Sequence, residues 1–91
     1  GLDYPGVSPI HCFLKDTKRA RYTSATDEGA LNAYKLVTKL EKINPSLEPS
    51  HAFAEAIKIA PKLSKDTILI VNSCGDAKKD RDILKKRLGK Y

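Results

Sequence analysis

The 91-residue sequence contains no methionine, and no apolar run in it approaches the ~20 residues that a helix needs to cross a bilayer. The lack of long apolar runs predicts a chain without a membrane span. The lack of methionine leaves no initiator residue, which is expected of a sequence that begins inside a longer chain. Nor does the sequence open with the charged, apolar and small residues of a secretory signal.

Cysteine and histidine are scarce, with two of each. Cys12 and Cys74 are too few for the disulfide framework of a small secreted domain, which favours a reducing compartment. His11 and His51 lack metal-ligand spacing, which excludes a zinc site of the usual kind. A catalytic cysteine would need Cys74 next to one of these histidines to lower the thiol pKa, and the sequence alone does not show that contact.

What the chain does have is positive charge, +6 in total, concentrated near its end. Residues 75–91 carry seven lysine and arginine residues against three aspartates, a net charge of +4. Such a cluster neutralises phosphates, so one alternative function is a small basic module that binds nucleic acid or an acidic protein. The interspersed aspartates and the lack of interleaved aromatic residues favour a solvated helix face instead.

The spacing of proline, glycine and apolar residues divides the chain into an arm and one α/β segment. Residues 1–16 contain two prolines and two glycines and show no sustained period, so we predict an extended arm or loop there. Residues 17–91 are predicted to form a single segment, part of a larger catalytic domain. Its elements are expected in the order strand, helix, helix, strand, helix.

The first half of this segment combines a short strand with a helix. Residues 21–25 are rich in β-forming residues, and Thr26 is a suitable N-cap. Apolar residues then recur at helical spacing, which predicts a helix to about Lys42. Ser50 is the N-cap predicted for a second helix, with His51 just inside it.

The second half predicts a buried strand. Pro61 suggests that the second helix ends near Ala60. Residues 67–71 are almost wholly apolar, as in strands of parallel sheets that helices cover on both faces. With a last helix over residues 80–88, the pattern predicts an α/β fold with a parallel-type sheet and a right-handed crossover.

The turn after residues 67–71 is the first candidate site, because open α/β sheets bind ligands at the carboxyl ends of their strands. Ser73 offers a hydroxyl and Cys74 a thiol to a heteroaromatic nitrogen, and Gly75 would let a ring or backbone approach closely. The alternative is a plain strand-ending turn. Lys78 and Lys79 after this glycine do not make a phosphate loop, since the glycine-rich pattern and the following hydroxyl are absent.

Glu48 is the second candidate. It lies between Pro45 and Pro49, in a segment predicted to be irregular, which can hold a carboxylate at a cleft. The alternative is an exposed loop acid. His51, one residue after the predicted cap, is more typical of a capping or packing residue than of a ligand.

Three motifs occur in an order and at spacings that resemble one enzyme family: Gly-Leu-Asp-Tyr-Pro-Gly-Val at residues 1–7, Leu-Glu-Pro-Ser-His-Ala at 47–52, and Val-Asn at 71–72 before the glycine-containing turn. The sequence is similar to the C-terminal quarter of tryptophan synthase β chains, over nearly its whole length. These lyases join indole to L-serine on pyridoxal phosphate, usually as dimers partnered by an α subunit. The resemblance implies the C-terminal part of a fold-type II pyridoxal-phosphate enzyme, in the cytoplasm or in a plant or algal plastid, and inactive by itself.

The resemblance also implies roles for individual residues. Cys74, between Ser73 and Gly75, stands where the family has a serine that hydrogen-bonds the ring nitrogen of the cofactor. Glu48 matches a glutamate beside the cofactor ring. The Schiff-base lysine, the phosphate cradle and the acid/base glutamate lie upstream in such chains and are not assigned here.

An activating monovalent cation is implied as well, bound in part by the backbone carbonyls of Tyr4 and Gly6. Asp3 matches an aspartate used in domain closure. The sequence also departs from the family pattern, with Lys42 in place of a glycine and Cys74 in place of the ring-nitrogen serine. A thiol is the weaker hydrogen-bonding group, so the cofactor edge is expected to be altered.

Overall fold

A computed structural model describes residues 2–89, in which four α-helices form. Gly1 of the predicted arm, and Lys90 and Tyr91 of the basic tail, lie outside the described residues. The helices are α1 (Pro9–Asp16), α2 (Asp27–Glu41), α3 (Leu47–Ile59) and α4 (Arg81–Leu88), with short 3₁₀ helices at Ala60–Lys62 and Ala77–Asp80.

Helix α2 confirms the first helix prediction. The Thr26 hydroxyl accepts a hydrogen bond from the Gly29 N–H at 3.1 Å, as an N-cap does. The helix ends at Lys42, whose φ of 60° is in the left-handed region. Lys42 stabilises this end by donating from Nζ to the Lys39 carbonyl at 2.7 Å.

Helix α3 begins at Leu47, so the prediction that Ser50 caps it is wrong. Ser50 lies inside the helix, where its hydroxyl donates to the Ser46 carbonyl at 2.8 Å. Pro49 is tolerated because it occupies the first turn, in which backbone N–H groups have no partner within the helix. The predicted end is confirmed, since α3 stops at Ile59 and Pro61 follows in a 3₁₀ helix.

Residues 9–16 form helix α1 rather than the predicted extended arm. Pro9 occupies the first helical position, where its fixed φ suits a helix start and its missing N–H costs nothing. The Ser8 hydroxyl caps the helix by accepting from the Ile10 N–H at 3.2 Å. None of the residues of α1 is buried.

The predicted parallel-type sheet does not form within residues 2–89. Pairing there is limited to one isolated antiparallel bridge, between Pro45 and Asp76. Residues 21–25 and 67–71, predicted as strands, are not assigned to strands. A strand depends on hydrogen bonds to a neighbouring strand, and neither segment has that neighbour in this part of the chain.

The core is small and helical. Helix α2 packs on α3, and Tyr34 and Leu84, each 1% exposed, lie at the centre with Ala77. The radius of gyration is 14.6 Å, against about 12 Å for a compact domain of this length. The extents of 43 × 36 × 19 Å describe a flat slab with two wide faces. No helix in residues 2–89 has the length and hydropathy to cross a membrane.

Candidate functional site

The N-terminus of α3 meets the turn after residues 67–71, and we call this contact, made by residues 44–48 and 74–80, the α3 junction. The Ala77 N–H donates to the Asn44 carbonyl at 3.1 Å, next to the bridge between Pro45 and Asp76. The junction therefore brings the predicted Glu48 together with the predicted turn.

Ser46 and Asp80 hold the junction. Ser46 is fully buried, and its hydroxyl donates to the Cys74 carbonyl at 2.9 Å instead of capping α3. Asp80 takes over a capping role, because its Oδ2 accepts from the Leu47 N–H at 2.8 Å. A carboxylate at this end of α3 also interacts favourably with the helix dipole.

Gly75 fits the junction because it has no side chain. Its φ of +86° is in the left-handed region, and a Cβ there would lie 2.8 Å from the Ser46 hydroxyl. The group that approaches Gly75 in the described residues is Ser46. Gly75 allows the turn to pack on α3 while Ser46 fixes the carbonyl of Cys74.

Ser73 and Cys74 are exposed on this turn, and Cys74 is a free thiol. Among the described residues, no hydrogen bond joins Cys74 to a histidine. His11 Nδ1 lies 2.8 Å from the Tyr22 hydroxyl, and His51 Nδ1 donates to the Leu47 carbonyl at 2.7 Å. The structure therefore does not assemble a catalytic cysteine–histidine pair.

Glu48 lies in the first turn of α3 and pairs with Lys79. Lys79 Nζ is 2.6 Å from Glu48 Oε1, and the Glu48 side chain is 28% exposed. The hydrogen bond from Lys79, helped by a backbone N–H, lowers the pKa of Glu48 from 4.5 to about 2. The same pairing raises the pKa of Lys79. Glu48 is thus a fixed, ionised carboxylate rather than an exposed loop acid.

Lys79 also connects Glu48 to the turn. Its Nζ lies 3.8 Å from the position that a Cβ on Gly75 would take. The carboxylate of Glu48 and the ammonium group of Lys79 therefore lie beside the turn that carries Ser73 and Cys74. A carboxylate, a hydroxyl and a thiol can each hydrogen-bond polar atoms of a heteroaromatic ring, and the role of Glu48, Ser73 and Cys74 at pyridoxal phosphate stays a prediction.

Tyr4 and Gly6 do not join this cluster through any hydrogen bond among the described residues. The Tyr4 side chain is 78% exposed, and nothing lies within 4 Å of the position that a Cβ on Gly6 would take. In the part of the chain that the structure describes, no group of three or more histidine, cysteine, aspartate or glutamate side chains could hold a metal ion. The monovalent-cation site stays a prediction.

Sequence reasoning missed three residues of the junction: Ser46, Lys79 and Asp80. The sequence does carry a signal for Ser46. A serine followed by an apolar and an acidic residue, here Leu47 and Glu48, is typical of the start of a helix. The contacts of Lys79 and Asp80 with α3 cross 31 and 33 positions of sequence, and no local pattern signals them.

Comparisons with known proteins agree with these motifs. No family model matches the chain. The tryptophan synthase β chain of Fusobacterium nucleatum is 60% identical over 80 residues, which are 88% of this chain and 20% of that protein. Those of Cereibacter sphaeroides and Bordetella petrii are 54% and 51% identical over 89 residues, 98% of this chain and 22% of each relative.

The chain spans about a fifth of the length of the curated relatives that it matches. The matched part includes the α3 junction, so the candidate site lies in the shared sequence. Over nearly its whole length, this chain is thus similar to a segment of tryptophan synthase β chains, as its motifs predict.

Proposed function

We propose that this chain is the C-terminal segment of a tryptophan synthase β-like enzyme, which joins indole and L-serine into L-tryptophan, and that it is inactive by itself. The observation that carries the proposal is the α3 junction. The chain is 60% identical over 80 residues to a tryptophan synthase β chain, and the contact that joins Glu48 to the Cys74 turn supports a shared role for these two positions at the cofactor.

The cofactor would be pyridoxal phosphate, which supplies an electron sink when bound. Ser73 and Cys74 would face its ring nitrogen, with Gly75 in the same turn. Glu48, kept ionised by Lys79, would lie beside the ring. The lysine that holds the cofactor and the groups that bind its phosphate would come from the rest of the β chain.

The rest of such a protein also supplies what this segment lacks. Residues 17–91 would form part of a larger catalytic domain of the fold-type II, α/β class, in which residues 67–71 join a parallel-type sheet. Carbonyls of Tyr4 and Gly6 would contribute to a monovalent-cation site. The family further suggests a homodimer, an α-subunit partner, and a cytoplasmic or plastid location.

The basic end of the chain does not require a nucleic-acid partner. Lys85, Lys86 and Arg87 lie in the last turn of α4, where cations stabilise the negative end of the helix dipole. Binding to nucleic acid would be measured at low and physiological salt. Affinity for a short duplex that falls steeply between low and physiological salt is expected of the basic module, whereas affinity unchanged over that range would remove this alternative.

The test is a chimera: the Fusobacterium nucleatum β chain in which the matched 80 residues are replaced by this chain. The chimera is expected to retain pyridoxal phosphate on dialysis and to form tryptophan from indole and L-serine, whereas this chain alone does neither. A folded chimera that loses the cofactor, or an active isolated chain, would contradict the proposal.

Within the chimera, Cys74→Ser is the informative substitution. Restoring the hydroxyl replaces a weak hydrogen-bonding group with a stronger one, so we expect activity to rise about two- to tenfold. Cys12→Ser makes the same chemical change on exposed helix α1 and is expected to leave activity unchanged. An equal response of both variants would remove the ring-nitrogen role of Cys74.

A further inference from the structure

The chain reverses direction at the end of helix α1, and three backbone hydrogen bonds hold this reversal. The Arg19 and Ala20 N–H groups donate to the Leu14 carbonyl at 3.0 and 3.2 Å. The Lys18 N–H donates to the Lys15 carbonyl at 3.0 Å, and the φ of Lys18, 57°, is in the left-handed region. The chain that follows α1 therefore lies against the last turn of the helix.

This reversal gathers positive charge around one cavity of about 300 Å³. Three cations and two further residues line it: Lys15, Lys18, Arg21, Ala20 and Tyr22. Lys15 and Lys18 make none of the ion pairs of residues 2–89, and Arg21 makes one long contact, 3.9 Å to Glu55. Cations that share a cavity repel one another, so an anion among them is stabilised by all three. We call this cavity the cationic pocket.

A second cavity adjoins the cationic pocket and shares Lys15 and Tyr22 with it. It measures about 340 Å³ and is lined in addition by Val7, His11 and Cys12. His11 holds Tyr22 in place, since its Nδ1 lies 2.8 Å from the Tyr22 hydroxyl and the two rings meet edge to face at 5.6 Å. The Tyr22 ring is therefore a fixed wall common to both spaces. We call the second space the apolar pocket.

The helix dipole alone does not explain the cations of this cluster. Lys15 lies in the last turn of α1, where a cation stabilises the negative end of the helix. Lys18 and Arg21 come after that end. The Phe13 carbonyl accepts from the Thr17 hydroxyl at 2.7 Å, so the helix end is satisfied without them. Both cations are thus available to a ligand.

We propose that the cationic and apolar pockets form one binding site for a small phosphate monoester that carries an aromatic ring. Arg21 offers paired N–H donors to two phosphate oxygens, and Lys15 and Lys18 add compact positive charges. The apolar pocket takes the ring against Tyr22. Cavities of about 300 and 340 Å³ suit a small molecule. The site goes beyond the proposed function, and none of its residues belongs to the α3 junction.

Calorimetric titration of the chimera with three probes tests this site. Phenyl phosphate carries both the dianion and the ring, inorganic phosphate carries the anion alone, and phenol carries the ring alone. We expect phenyl phosphate to bind about tenfold more tightly than inorganic phosphate, because the ring buries additional apolar area, and phenol to bind more weakly than either. Equal affinities for phenyl phosphate and inorganic phosphate, or no binding of phenyl phosphate, would overturn the proposal.

Three substitutions in the chimera assign the two halves of the site. Lys18→Gln removes one cation and is expected to weaken both phosphate probes about three- to tenfold. Val7→Ser removes apolar surface and is expected to weaken phenyl phosphate alone, about threefold. Lys86→Gln makes the same change as Lys18→Gln at the exposed, basic end of α4 and should alter neither affinity. Equal effects of the two lysine substitutions would show a response to net charge and would overturn the site.

Thiol alkylation locates the ligand without any substitution. Cys12 lines the apolar pocket and Cys74 lines neither pocket, although both are exposed, free thiols. Saturating phenyl phosphate should slow the reaction of Cys12 with iodoacetamide at least about threefold and leave that of Cys74 unchanged, as peptide mass spectrometry would show. An unprotected Cys12, or protection of Cys74 instead, would overturn the proposal. Cofactor retention tests the proposed function separately, so either can fail without the other.

Discussion

At the scale of single residues, Gly75 joins two constraints at one position: a positive φ and the close approach of Ser46. Gly75→Ala should destabilise the 91-residue chain by about 1–3 kcal/mol, because the left-handed backbone and the 2.8 Å contact both oppose a Cβ. Urea unfolding followed by circular dichroism would measure the loss. Gly6→Ala, at a site with open space, is the control and should change little.

The Glu48–Lys79 pair predicts a dependence on acid. The folded-state pKa of Glu48 is about 2, below its ordinary 4.5, so its contribution to stability is complete above pH 4.5 and is lost as the pH falls towards 2. Lys79→Met removes the main cause of the lowered pKa. We expect the variant to lose less stability than the parent chain between those pH values, as measured by urea midpoints.

Lys78→Met is the control for this pair. Lys78 is an exposed neighbour whose side chain makes none of the ion pairs described for this chain, so its removal should leave the acid profile unchanged. A carbon-13 titration of the Glu48 carboxyl would report its pKa directly. A pKa near 4.5 for Glu48 in the parent chain would show that Lys79 does not lower the pKa of this carboxyl.

Lys42 shows the opposite situation, a side chain where glycine would suit the backbone. At φ 60° a non-glycine residue is strained, and the side-chain bond to the Lys39 carbonyl and the backbone bond to the Thr38 carbonyl compensate in part. Lys42→Gly is expected to stabilise the chain by about 0.5–1 kcal/mol. Lys39→Gly, inside α2, should instead cost about 1 kcal/mol. Thermal unfolding of both variants would separate the two positions.

At the scale of elements, the N-terminus of α3 depends on a residue from another helix. Asp80→Ala should cost about 1 kcal/mol, with a range of ~0.5–2, because it leaves the Leu47 N–H without its acceptor. Amide exchange in the first turn of α3 should accelerate with it. Asp66→Ala, at an exposed turn, serves as the control, and equal losses would show that Asp80 does not act as a cap.

The elements that sequence predicts well are those whose signals are local. Thr26 directly precedes α2 and the apolar stripe lies within it, so the start and the end predicted for that helix are both correct. The start of α3 was misplaced because its cap comes from Asp80, 33 residues away. Helix α1 was missed because Pro9 indicates a break in most contexts but begins a helix at its first position.

The residues of the candidate site also divide into those that a local sequence motif identifies and those that it does not. Resemblance to a family located Cys74 and Glu48, since their motifs are contiguous in sequence. It did not locate Ser46 or Lys79, which act through contacts between separate elements. The expected sheet is absent from the described residues because strands are completed by neighbours, and this chain spans only about a fifth of the relatives that it matches.

At the scale of the whole molecule, the flat shape predicts poor independent folding. A slab 19 Å thick with a radius of gyration of 14.6 Å leaves both wide faces exposed. The isolated chain should therefore bind a hydrophobic dye such as ANS strongly, as loosely packed states do, whereas the chimera should bind little. Weak dye binding by the isolated chain, with a sharp two-state transition, would show that the segment folds independently.

The exposed run at residues 67–72 has a consequence beyond enzyme assembly. Residues 67–72 contain four residues of high β-propensity (Thr67, Ile68, Ile70 and Val71) and no charge, proline or glycine, as do the segments that stack into cross-β fibrils. Lys65 and Asp66 are the charged residues that precede them. Under the proposed function, the rest of the β chain would cover this run. A protease that released the segment would therefore generate a seed for fibril growth, and clearance of that fragment would become a task for cellular quality control.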